Sequence, residues 1–183
     1  YSKLKGPVGS PGSYESLGRA WANVSNTPFR MYKHWVHEGG ISSPLIAHYP
    51  KLIPEPGIDT QVVHIMDIVP TCLELAQVQY PDSLRGNALT PLQGKSFVNL
   101  LRGGNREGHE TLFWEHRGNR AVRKGPWKLV SAYPDDQWAL YRTEQNDLSS
   151  QYPEKVEELE ADYRKWANRV GVVHRRELEK LGY

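Results

Sequence analysis

Lys33, His34, His37 and Glu38 fall within six residues of one another and lead straight into Gly39-Gly40. A cation, two imidazoles and a carboxylate thus share one short segment, with Tyr32 and Trp35 among them. Gly-Gly allows the backbone to bend where a residue with a Cβ would resist. The apolar run beyond it, at residues 42–49 with Leu45-Ile46-Ala47 at its centre, reads as a buried strand. Polar side chains held at a sheet edge by a glycine-rich bend suit an anionic group. A metal site is a poorer reading: zinc proteases use His-Glu-x-x-His or His-x-x-Glu-His, and His34-x-x-His37-Glu38 matches neither. His34 and His37 therefore stand as candidates for a substrate pocket beside Lys33, with Tyr32, Trp35 and Trp21 as an aromatic wall. Glu38 reads as a structural group at the Gly-Gly bend.

The elements that must position these residues follow from local pattern. The first 28 residues are rich in Gly, Pro, Ser and Asn and read as an irregular loop. Asp67 is placed to cap a helix over residues 68–76, on which Ile68, Cys72, Leu75 and Ala76 share an apolar face. Cys72 reads there as a buried thiol. Ser96 caps a short helix over residues 97–101, which stops at Gly103-Gly104. Four short strands follow, at residues 111–116, 119–124, 127–130 and 138–141, joined by the turns Arg117-Gly118 and Gly125-Pro126 and by a loop through Pro134-Asp135-Asp136. The alternation at residues 127–130 predicts one packed and one wet face, with Arg120, Arg123, Lys124 and Lys128 on the wet side. His109 and His116 fall on or near this sheet, away from the chemistry. A helix beginning at Pro153 carries Val156, Leu159, Tyr163, Trp166 and Val170 as an apolar stripe and covers the meander.

Composition narrows the class. At 183 residues, 38% hydrophobic and 24% charged, the chain is globular and long enough for a sizeable core. A net charge of +2 gives no reason to expect nucleic acid, and the longest basic stretch is His174-Arg175-Arg176. Its apolar runs are too short for a membrane-spanning helix. With one cysteine there is no intrachain disulfide. The loop-like opening at Tyr1 is expected of the interior of a longer protein.

The chain resembles the sulfatases, of the bacterial arylsulfatase type in the alkaline-phosphatase superfamily. The resemblance rests on Lys33 five residues before Glu38-Gly39-Gly40, on Asp67-Ile68-Val69-Pro70-Thr71 with Leu73-Glu74-Leu75-Ala76, on Ala121-Val122-Arg123-Lys124-Gly125-Pro126-Trp127-Lys128-Leu129, and on Trp138-Ala139-Leu140-Tyr141 with Asn146-Asp147, in that order. It implies an α/β fold, the C-terminal part of a sulfatase, ending in a small antiparallel four-stranded sheet packed by a C-terminal helix. Residues 1–104 would close the large catalytic domain and carry an active-site loop; residues 105–183 would form the small subdomain. Lys33 would contact sulfate, making it the catalytic residue of this chain. The loop around Tyr14, Glu15, Trp21 and Asn23, with His34 and His37, would border the substrate mouth.

The resemblance also implies what the chain lacks. The family nucleophile is a formylglycine made from a Cys/Ser-x-Pro-x-Arg motif, and Cys72-Leu73-Glu74-Leu75-Ala76 is not one. The carboxylates that hold the family's calcium ion are not recognisable here either. Both are expected in an N-terminal remainder of the same protein, so these residues alone should be inert. The implied substrate is a sulfated small molecule or glycan, and the family's habit is export to the periplasm or medium. A phosphoesterase or phosphonate hydrolase of the same superfamily, or a non-catalytic module that binds acidic glycans, stays open.

Overall fold

A computed structural model describes residues 18–182 together with Pro7, Gly9, Ser10, Pro11, Ser13 and Ser16. In chain order its elements are α1 (Gly18–Ser25), α2 (Glu38–Ile41), α3 (Ile68–Ala76), β1 (Ser83–Leu84), β2 (Asn87–Ala88), α4 (Val98–Leu101), β3 (Thr111–His116), β4 (Asn119–Lys124), β5 (Trp127–Ser131), β6 (Trp138–Tyr141), α5 (Pro153–Val170) and α6 (Arg175–Lys180). They form two compact units. One joins the described residues up to Ser43 with those from Thr111 onward; the other is Pro44–Glu110.

The first unit is built on the antiparallel sheet β3-β4-β5-β6. Arg117 and Gly118 both take positive φ, 54° and 88°, so two residues suffice to reverse the chain between β3 and β4. Register then sorts the side chains. Phe113, Val122, Leu129 and Leu140 lie opposite one another across the four strands. Three of them, Val122, Leu129 and Leu140, are buried in a cluster with Leu159, Tyr163 and Ala167 of α5. Phe113 stacks on Trp166 of the same helix, with ring centroids 5.2 Å apart. Burying side chains of this size contributes roughly 1.5–3 kcal/mol each, so α5 is anchored by its apolar stripe. Pro153 opens that helix and Gly171, at φ 75°, closes it.

The opposite face is covered as well. Ala121, Val130 and Tyr141 pack against Val36, with Ile41, Trp114 and Ala139 around them. The expected wet face is thus a second core. Lys128, which shares it, is 4% exposed. The segment that carries Lys33 is itself the layer on that side, and this is why the alternation misled: β5 is buried from Lys128 to Ser131.

The second unit holds α3, α4 and the β1–β2 hairpin. Its centre is Asp67, wholly buried. Asp67 makes no side-chain bond to the first turn of α3. One carboxylate oxygen accepts from the His64 backbone N–H (2.9 Å) and from Arg106 (2.9 Å). The other accepts from the Lys95 N–H (2.8 Å) and pairs with His109 Nε2 (2.7 Å). Burial opposes the charged form, but these bonds outweigh it and hold the carboxyl below the usual range. Asp67 thus ties the turn before α3 to the chain at residues 95–109 rather than capping the helix.

Two further expectations change here. Cys72 is exposed, and its neighbours on the apolar face, Ile68 and Leu75, are 41% and 38% exposed. Residues 42–49 form no strand and lie open, Ile46 by 91%. A strand needs a neighbour to take its backbone N–H and C=O groups, and none among the described residues pairs with this run.

Candidate active-site turn

The Lys33 segment is a tight turn seated on the backbone of α2. The Trp35 N–H donates to the Tyr32 carbonyl (3.1 Å), which puts Lys33 and His34 at the tip. Met31 and His34 take positive φ, 67° and 86°. Beneath the turn, the Gly39 N–H donates to the Arg30 carbonyl (2.8 Å). A Cβ on Gly39 would lie 2.1 Å from the Met31 carbonyl oxygen, and one on Gly40 would lie 2.0 Å from that of Trp35. The glycine pair is therefore required by close approach of the turn. Neither glycine adopts positive φ, so bending is not its role.

Glu38 fastens α2 to the sheet. Its Oε1 lies 2.7 Å from Lys128 Nζ, and its backbone N–H donates to Glu144 Oε2 (2.9 Å). Glu144 Oε1 completes an ion triad, 2.7 Å from the same ammonium. Lys128 and Glu144 side chains are only 5% and 6% exposed. Glu38 is structural, as expected, but its partner is a buried lysine from β5. The expected wet-face placement of Lys128 is wrong. Ala121 and Val130, apolar residues on that strand face, were the sequence signal that it is packed.

Lys33 itself is exposed, and among the described residues no carboxylate pairs with its ammonium. His34 is exposed beside it, with Nδ1 3.2 Å from Nε2 of His116. His37 is elsewhere: it is 5% exposed, below the turn, edge-on to Trp35. Burial first, then the positive charges of Arg30 and Lys128, lowers its pKa to about 4, so it is neutral at pH 7. Trp21 lies on α1, 64% exposed, with no ring contact to the Lys33 turn among the described residues. Tyr14 and Glu15 lie outside the described residues. The structure thus sets His116 against His34, the chain neighbour of Lys33, and sets His37 apart. His116, 82 positions from His34, has no local pattern that would have placed it there.

Such an arrangement offers an anion the exposed ammonium of Lys33, unpaired among the described residues, on a firmly seated turn. A family model described as N-sulphoglucosamine sulphohydrolase, C-terminal, matches residues 29–167. The chain belongs to this sulfatase family. The match begins just before the Lys33 turn and ends within α5. Among individual relatives, an uncharacterized sulfatase of Schizosaccharomyces pombe is 32% identical over 177 residues, which are 91% of this chain and 32% of the relative. A sulfatase of Formosa agariphila is 31% identical over 151 residues, 74% of this chain and 26% of the relative. An arylsulfatase of Klebsiella aerogenes is 34% identical over 90 residues, 49% of this chain and 19% of that protein. The chain therefore spans no more than about a third of these relatives' lengths, and what it matches is the sulfatase C-terminal part.

Proposed function

We propose that this chain is the C-terminal part of an enzyme that hydrolyses aryl or carbohydrate sulfate esters, and that Lys33 contacts the sulfate. The observation that carries this reading is the exposed ammonium of Lys33, which no carboxylate among the described residues pairs with, on a turn held by α2 and the sheet. An ammonium fixed in place stabilises the anion and the charge that develops as the ester S–O bond breaks, without reorganising at that moment. His34 and Trp21, both exposed, border the substrate in this reading. His37 supports the turn from below.

Sulfatases use a formylglycine nucleophile and calcium, and the residues here do not fit either. Cys72 lacks the required neighbours, and among the described residues no group of three or more His, Cys, Asp or Glu could hold a metal ion. We assign both to the remainder of the protein, together with the bulk of the catalytic domain; the expected boundary at residue 104 is not where the units divide, since the described residues up to Ser43, the Lys33 turn included, pack with those from Thr111 onward. The open apolar side chains of the second unit, Ile46 (91% exposed), Ile58 (97%) and Ile65 (78%), support a covering layer from that remainder. Export to the periplasm or medium belongs to the same proposal.

The test is hydrolysis of 4-nitrophenyl sulfate and 4-nitrophenyl phosphate by the full-length protein, matured with formylglycine-generating enzyme and supplied with calcium. Sulfate release well above phosphate release is expected. Preference for phosphate would move the protein to the phosphoesterases of the same superfamily. Residues 1–183 alone should release neither.

A further inference from the structure

The tip of the β3–β4 hairpin holds the residue next to Lys33 at two points. His116, the last residue of β3, sets its ring against that of His34, with Nε2 3.2 Å from Nδ1 and the ring centroids 5.4 Å apart. Asn119, the first residue of β4 and 7% exposed, donates from Nδ2 to the carbonyls of His34 (3.3 Å) and His116 (3.0 Å). Its Oδ1 accepts from the Tyr133 N–H (3.1 Å). The hairpin tip thus grips the His34 backbone and ring together.

His34 needs such a grip. At φ 86° it occupies a backbone region that is disfavoured for a non-glycine residue, and such strain persists where the surroundings over-determine it. The centroid separation is close to that of two rings sharing one N–H along the N···N line. One imidazole donates and the other accepts, which fixes the His34 ring relative to the sheet.

We propose that His116 is a positioning residue for Lys33: by holding the His34 ring it fixes the turn at the neighbouring residue, and so fixes where the ammonium meets an anion. This rests on the sulfate-contacting role of Lys33. His116 is exposed, so its replacement leaves the core intact, unlike changes to the buried Lys128–Glu144 pair.

The test uses the full-length protein with Lys33→Ala, His116→Ala, His116→Gln and the double variant Lys33→Ala/His116→Ala. Turnover is read on 4-nitrophenyl sulfate, and amide exchange is read at Trp35, whose N–H closes the turn. His116→Ala should exchange faster at Trp35, melt at the wild-type temperature and lose about tenfold in kcat/KM, as small misplacements near chemistry do. His116→Gln, which keeps a hydrogen-bonding side chain, should recover part of both. The double variant should be no worse than Lys33→Ala. Wild-type exchange in His116→Ala, or losses that multiply in the double variant, would overturn the positioning role while leaving Lys33 in place. Full turnover in Lys33→Ala would remove both readings.

Discussion

His37 shows at a single residue how the turn is built. Its depressed pKa means that the folded protein takes up the proton only below about pH 4, whereas an unfolded histidine does so near 6.5. Between these values the unfolded state binds more protons, so stability falls as the pH falls, by up to roughly 3 kcal/mol in total. The loss is absent above about pH 6.5. Replacing His37 with Leu should flatten this acid arm, seen as a smaller drop in melting temperature between pH 7 and pH 4.5 than in the wild type. Equal drops would show that another group sets the acid sensitivity. At this scale the sequence shows that Lys33, His34 and Glu38 share one short segment, and the structure makes that segment a turn. The sequence could not show that His37 turns inward, nor that His116 comes up beside His34, since both depend on how the sheet and the turn pack.

At the scale of elements, the buried Lys128–Glu144 pair, with Glu38 at its partly exposed edge, joins β5, α2 and the chain after β6. Removing one member of a buried ion pair strands the others without compensation and typically costs about 3–5 kcal/mol. Lys128→Met should therefore lower stability by about that amount in denaturant unfolding, and a change below about 1 kcal/mol would contradict the account of how α2 is held. The four strands and α5 were legible beforehand because each carries its own signal: β-rich runs, two-residue turns with glycine, and an apolar stripe opened by proline. Other elements gave weaker signals. Residues 42–49 have the composition of a strand but no partner among the described residues. The helix α1 lies in a stretch that reads as loop, and α6 is composed of Arg175-Arg176-Glu177-Leu178-Glu179-Lys180, without an apolar stripe. The hairpin β1–β2 has only two residues per strand, around Arg85 and Gly86 at positive φ, inside a segment whose Gly, Pro and Asn content reads as loop. The alternation in β5 predicts a wet face that the structure does not have, because the layer on that face comes from a segment some ninety residues earlier in the chain, as the Glu38–Lys128 pair shows.

For the whole molecule, the proposed reading has this chain bring the Lys33 turn, seated on the small sheet, to an active site whose nucleophile and calcium come from the remainder of the protein. In the proposed reading, Lys33 is the group of this chain that meets the sulfate. The decisive measurement is kcat/KM for 4-nitrophenyl sulfate with the full-length, matured, calcium-loaded protein and its Lys33→Ala variant, alongside their melting temperatures. With folding unchanged, the variant should lose about 10²–10³ in rate, the usual cost of removing one preorganised contact to a developing anion. Turnover equal to the wild type would contradict the assignment of sulfate contact to Lys33.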